Sequence, residues 1–220
     1  MGRRRKELGE RTAATDGWRE FADLVPRSLL PYVDGTRFAR FNLLVNGAYR
    51  KVATSIYISR RAQAGATEHE LAAIPRPPPD GHTTIDLVEL ARQELGYLGR
   101  KHVLPGQGFL VYLTRTGGVQ QGHRPLWMTF GFHYATALRR VDEAMESLHH
   151  AAAFCEASMD AYRVSMTFPG SSPGWAAWTS AAEELSRGAA SALTTAALLV
   201  RRMRHEVRAE YVTACILLAP

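Results

Sequence analysis

Six fixed cations and three histidines lie in a stretch of the chain that holds no acid. Between Leu95 and Val141 there is no Asp or Glu, while Arg100, Lys101, Arg115, Arg124, Arg139, Arg140, His102, His123 and His133 all fall there. At 21 carboxylates in 220 residues, a segment of this length holds about four or five. The six cations equal the whole net charge of +6. Charge segregated in this way is the footprint of a polyanion, because each cation set beside a phosphate releases condensed counterions. The plain alternative is a solvated basic loop.

An uninterrupted apolar stripe follows. Tyr134, Leu138, Val141, Met145, Leu148, Ala152, Cys155, Met159, Tyr162 and Met166 recur at 4-3-4-3 spacing, and Pro169-Gly170 ends the run. The spacing predicts one helix of about 33 residues, roughly 50 Å long, with a heptad-like seam for packing in a bundle. Arg139 and Arg140 fall in its predicted first turns, where free N–H groups and the helix dipole add to their attraction for anions. Pairing of Arg139 and Arg140 with Asp142 or Glu143 is the competing use of these side chains.

Catalytic chemistry has no comparable signal. No HExxH, phosphate-binding loop or paired CxxC is present. His149-His150 are adjacent and point to different sides of a helix, so they do not chelate one metal together. Acids and bases do not gather around a nucleophile. The reading is therefore non-enzymatic, with no cofactor. No apolar run approaches about 18 residues, so no membrane span is expected. The opening Met-Gly-Arg-Arg-Arg-Lys lacks the apolar core of a secretory leader. Only Cys155 and Cys215 are present, and Cys155 lies on the apolar stripe as a small core residue.

The elements around these residues read as follows. Residues 1–15 are basic and polar and predict a tail, with Arg3-Arg4-Arg5-Lys6 as a further cation run. Trp18, Phe21, Leu24 and Val25 form a short amphipathic turn closed by Pro26. Asp34 caps a helix whose buried face is Phe38, Phe41, Val45, Ala48 or Tyr49, and Val52. Ala53–Ser59 reads as a strand on its Ile56 and Ile58. Residues 60–82, with Pro75, Pro77, Pro78, Pro79 and Gly81, read as a stiff exposed connection. Thr83 and Asp86 form a capping box for a helix carrying Ile85, Val88, Ala91, Leu95 and Leu98, ending near Gly99. Phe109–Thr114 and Leu126–Phe132 read as strands about a Gly117-Gly118 turn. Ser180 and Glu183 form a second capping box, opening an Ala-rich helix with Leu185, Ala189, Ala192, Ala196, Leu199, Met203 and Val207. Its small residues predict close packing, with the face between subunits as the first expectation.

The run Ala135-Thr136-Ala137-Leu138-Arg139-Arg140-Val141-Asp142-Glu143-Ala144 resembles the signature that opens the fourth bundle helix of tobacco mosaic-type rod-shaped virus coat proteins, Ala-Thr-Arg-Arg-Val-Asp-Asp-Ala. Other points are similar in the same order: an early Trp18, the Leu95-Gly96-Tyr97-Leu98-Gly99-Arg100-Lys101 segment at the end of the third helix, Tyr162-Arg163 with Phe168, and Trp178-Thr179-Ser180. The likeness spans about residues 16–180 and is strong over 135–145.

The resemblance implies a mainly α fold: an antiparallel four-helix bundle with a small antiparallel β-sheet, here with an added C-terminal helix. The expected division is a tail at 1–15, the coat-like bundle at 16–179 and a helical extension at 180–220. Many copies would polymerise into a helical rod around single-stranded RNA, in a virion within the host cytoplasm. Arg100, Lys101, Arg139 and Arg140 would face phosphates, with Arg115 and Arg124 in the same basic segment, and Asp142 and Glu143 would lie near the nucleotides. The family's carboxylates before the double arginine are replaced by His133 and Thr136, so a disassembly switch of the family's type is not expected. The alternative reading is a helical nucleic-acid-binding adaptor of small oligomeric state.

Overall fold

The computed structural model describes residues 35–77, 81–104, 107, 110, 124–170 and 172–218, and the protein is mainly helical. Helix α1 spans Gly35–Gln63, α2 Glu68–Ala72, α3 Thr84–Leu98, α4 Arg124–Ser165 and α5 Pro173–Leu218. A π-helical turn, Gly99–Val103, continues α3. The expected tail, Trp18, Asp34, the Gly117-Gly118 turn and the strand Phe109–Thr114 lie outside the described residues, apart from Leu110.

No strand occurs among the described residues, and two expected strands are helix. Ala53–Ser59 belongs to α1 because the helical period continues through it. Phe38, Phe41, Val45, Ala48, Val52 and Ser59 are buried, and half-buried Ser55 completes the 3-4 alternation. The β-branched Ile56 and Ile58 carry only a weak strand preference, and the packing stripe overrides it. Leu126–Phe132 likewise lies in α4, which is 42 residues long and starts well before the stripe that predicts it. The small β-sheet has no support among the described residues.

Helix ends follow local chemistry. Thr83 N–H donates to Asp86 Oδ2 at 2.7 Å and Asp86 N–H to Thr83 Oγ1 at 3.1 Å, the expected reciprocal cap. A second such box, Thr67 with Glu70, opens α2. The one expected at Ser180 and Glu183 is absent, because α5 starts earlier. Ser172 Oγ accepts from Trp175 N–H at 3.1 Å and Pro173 takes the first helical position, where a missing N–H costs nothing.

The chain forms two compact units. The first comprises Met1–Phe38, Gly96–Asp142 and Leu199–Pro220; the second comprises Ala39–Leu95 and Glu143–Leu198. In the second unit, α4 and α5 pack closely as an antiparallel pair. Ser158 Oγ donates to the Ala182 carbonyl at 2.9 Å and is hydrogen-bonded to Ser186 Oγ at 2.8 Å. A methyl group on Gly188 would lie 3.1 Å from the Phe154 ring, so the ring rests on bare backbone. The buried seam of α4 is Ala144, Leu148, Ala151, Cys155 and Ser158, while Met159 and Met166 are exposed. The expected seam is thus turned by one position at every second contact. Small residues sit inside because the helices approach too closely for methionine. On α5, Ala182, Ala189 and Ala196 are fully buried within the chain, so the Ala-rich face does not serve as an intersubunit surface.

The second unit also buries two carboxylates. Glu94 meets Arg40 at 3.1 Å. Glu183 accepts from Arg60 Nε at 2.7 Å and also pairs with Arg187. Burial pushes the Glu183 carboxyl up, but the hydrogen bonds from Arg60 and Arg187 outweigh it and hold the group below the usual glutamate range. Its stabilising contribution is therefore present above the unfolded-state value and lost as pH falls through the lower folded-state one. Glu183→Gln is expected to lower stability by about 1–2 kcal/mol at pH 7, the loss of charge-assisted bonds from half-exposed arginines, and by almost nothing at pH 3. Urea unfolding at the two pH values measures the difference.

Candidate nucleic-acid interface

Gly99 fixes the geometry of the site. It ends the regular part of α3, but the helix does not stop there. Leu104 N–H donates to the Gly99 carbonyl at 3.0 Å, five residues back, and this widened turn buries His102 and Val103 while leaving Arg100 and Lys101 exposed. A methyl group on Gly99 would lie 3.2 Å from Val141 Cγ1. The bare backbone therefore seats directly on α4 beside Arg139 and Arg140. Two cation pairs far apart in the chain are carried by touching turns of the first unit.

Phe38 makes a second connection in the same unit. Its ring lies 5.9 Å from the His102 ring and 5.1 Å beneath the Arg204 guanidinium. On the preceding residue, the Arg37 guanidinium lies 4.5 Å over the Tyr97 ring. The start of α1 thus meets the π-helical turn through Phe38 and His102, the C-terminal part of α5 through Arg204, and the end of α3 through Arg37.

The third connection sets the register of α4 against α5. His133 Nδ1 and Glu206 Oε2 are 2.6 Å apart. With equal rise along the two antiparallel helices, Arg139 and Arg140 fall level with Val200 and Leu199. Glu210 follows one turn later on the inner seam. Its Oε2 has no hydrogen-bond partner among the described residues, and burial pushes its carboxyl up to about 8. Burial first, and then the Glu210 charge, also push the Tyr134 phenol upward.

Charge divides between the units. Among the described residues the first unit has ten arginines and lysines against three carboxylates, Asp142, Glu206 and Glu210. The second has nine against eleven. The cations that make the whole chain basic are therefore concentrated at one of its two compact parts.

The site residues read from the sequence are placed as follows. Arg100 and Lys101 are exposed on the turn, Arg139 and Asp142 are exposed on α4, and Arg140 and Glu143 are half-buried there. Arg124 is the first residue of α4, and Arg115 lies outside the described residues. Arg139 and Arg140 do not sit at a helix N-terminus. Fifteen residues of α4 precede Arg139, so backbone N–H groups there are already bonded along the helix and add nothing to anion binding. Asp142 falls in the first unit and Glu143 in the second. The sequence does not mark Arg37, Phe38 or the α5 arginines as site residues. The signal for the last was present as Arg201-Arg202-Met203-Arg204 and Arg208, diluted by Glu206 and Glu210.

No described helix is long and apolar enough to cross a membrane. Comparison with protein-family models, with curated proteins and with solved structures finds no match, so the likeness to rod-shaped virus coat proteins rests on the residues of this chain alone.

Proposed function

We propose that this chain is a viral coat protein that polymerises helically around single-stranded RNA and binds its phosphate backbone without reading sequence. In this reading the chain forms an antiparallel four-helix bundle of which α4 is the fourth helix and α5 is an addition, and Arg100, Lys101, Arg139 and Arg140 line the RNA track. The protein acts as a structural component of a virion in the host cytoplasm, not as an enzyme, and needs no cofactor. The observation that carries the proposal is the meeting of Gly99 with Val141, which joins two cation-bearing turns within a strongly basic unit. Backbone-directed packaging requires such a track of cations and no base-edge contacts. Open-ended growth follows from a head-to-tail contact that does not close on itself.

Negative-stain electron microscopy of the purified protein, with its 260/280 nm absorbance ratio, tests this. Rods or stacked discs containing nucleic acid are the expected result. Small closed particles that bind RNA would transfer the assignment to a helical adaptor, and particles with no RNA dependence would refute both. Arg139→Ala combined with Arg140→Ala is expected to abolish RNA copurification while leaving the far-UV circular dichroism unchanged.

A further inference from the structure

The C-terminal helix carries cations that the coat-protein reading does not use. Arg201, Arg204 and Arg208 lie at i, i+3 and i+7, which places them along one side of α5. Val200, Met203 and Val207 are buried on the inner seam, and this turns the arginines outward; all three are exposed. The row is about 10 Å long at 1.5 Å per residue.

Nothing described within the protein neutralises this row. Glu206, the acid within reach along the helix, lies on the opposite flank and is engaged by His133. Glu210 points into the seam. Arg201 and Arg208 have no ion-pair partner among the described residues. Arg204 lies over the Phe38 ring, a contact made through the guanidinium carbon that does not use its N–H groups as hydrogen-bond donors. Like charges one turn apart destabilise a helix by about 0.2–0.5 kcal/mol per pair. Here that repulsion is left uncompensated, as it is where a ligand supplies the counter-charge. Phe38 also touches His102, so Arg204, the middle of the row, lies beside the turn that bears Arg100 and Lys101.

We infer that Arg201, Arg204 and Arg208 of α5 form a second wall of the RNA track, gripping phosphates alongside Arg100 and Lys101. The inference rests on the proposed RNA-binding function and extends it to a helix that the family resemblance leaves without a role. Guanidinium groups suit this use because each offers a planar fork of donors to phosphate oxygens.

Binding of a fluorescein-labelled 20-nucleotide oligouridylate to the full chain, followed by anisotropy across a salt series, tests it. Each phosphate contact to a single strand contributes about 0.7 to the slope of log K against log salt. Arg201→Gln with Arg208→Gln is expected to reduce that slope by about 1.4 and to weaken binding at least tenfold at low salt. Arg201→Lys with Arg208→Lys, which retains the charge and tolerates any structural need for long side chains, is expected to keep the slope. Arg50→Gln with Arg76→Gln removes the same charge from the second unit and is expected to change neither quantity. If the α5 glutamine variant matches this control while Arg100→Gln with Lys101→Gln still lowers the slope, the α5 inference is overturned and the RNA reading stands. If the unaltered protein does not bind the oligonucleotide, or binds polyglutamate of equal charge as tightly, the RNA reading fails and takes the inference with it.

Discussion

Glu210→Gln is expected to stabilise the protein by roughly 3 kcal/mol at pH 7 and to remove most of its loss of stability toward alkaline pH. Glu210 continues the inward-facing sequence Val200, Met203 and Val207, a position that in a helical seam belongs to an apolar residue. Its Oε2 is buried without a partner among the described residues, so ionisation there is opposed by desolvation and by nothing else. The folded-state value, about 8, lies above the unfolded-state value of 4.5. Below the lower value the group is protonated in both states and costs nothing. As pH rises between the two, the unfolded chain releases the proton while the folded one retains it, and stability falls by about 1.4 kcal/mol per pH unit. Above the upper value the penalty is constant. A neutral amide of the same shape escapes this dependence, and Glu210→Met, which also removes the orphaned oxygen, is expected to gain more. In a chain of this size the gain corresponds to a rise in Tm of roughly 5–10 °C. Thermal melts of the protein and the Gln variant from pH 5 to pH 9 decide the matter: parallel curves would show that Glu210 is not protonated in the folded state.

Two of the buried glutamates, Glu183 and Glu210, bracket the pH response from opposite sides. Glu183, held by Arg60 and Arg187, contributes stability that disappears in acid, whereas Glu210 imposes a cost that grows toward base. Neither environment is visible in the sequence. Glu183 reads as the third residue of a capping box because Ser180 precedes it by three. Ser172-Pro173 is an equally good helix start and captures the role eight residues earlier, which leaves Glu183 on the inward face of a continuing helix. Glu210 reads as one more surface acid among arginines.

Periodicity explains most of what was legible in the fold. Val141, Leu148 and Cys155 are buried where the 4-3 spacing puts them, and so are Phe38, Phe41, Val45 and Val52 on α1. The stripe on α4 departs from the large-residue pattern at alternate positions because small residues occupy the seam there. Ala144, Ala151 and Ser158 are inside, since close approach of α5 selects small side chains, and Met145, Ala152 and Met159 are displaced to the flank or the surface. The Ala-rich face on α5 follows the same rule: small residues indicate close packing, but not whether the partner lies in the same chain. Ile56 and Ile58 suggest a strand locally at Ala53–Ser59, but Ser55 and Ser59 continue the helical face of α1.

The site was legible as composition and illegible as shape. An acid-free segment identifies Arg100, Lys101, Arg139 and Arg140, yet the contact that joins the turns beneath them depends on Gly99, which sequence reading takes for a helix stop. The α5 arginines were missed for a different reason. Glu206 and Glu210 lie among them and lower the local charge, and only the folded structure shows one engaged by His133 and the other buried.

Gly99→Val provides the second large effect, because it attacks the shape of the site without touching its charge. The first added carbon would stand 3.2 Å from Val141 Cγ1 and 3.8 Å from Cγ2, already tight, and valine adds two further methyl carbons at that contact. Overpacking of this kind costs about 1–3 kcal/mol. Gly99→Ala requires the Val141 side chain to yield by only a few tenths of an ångström and is expected to be tolerated. In Gly99→Val the turn must move away from α4, carrying Arg100 and Lys101 out of line with Arg139 and Arg140. RNA affinity is then expected to fall by about tenfold or more although every cation is retained, as a displacement near 1 Å at a preorganised site is costly. Val141→Ala in the same chain removes both clashing methyl groups and is expected to restore part of the stability and most of the binding, giving a coupling of about 1–2 kcal/mol in a double-mutant cycle. Additive effects of the two substitutions would mean that the Gly99–Val141 contact does not position the basic turn.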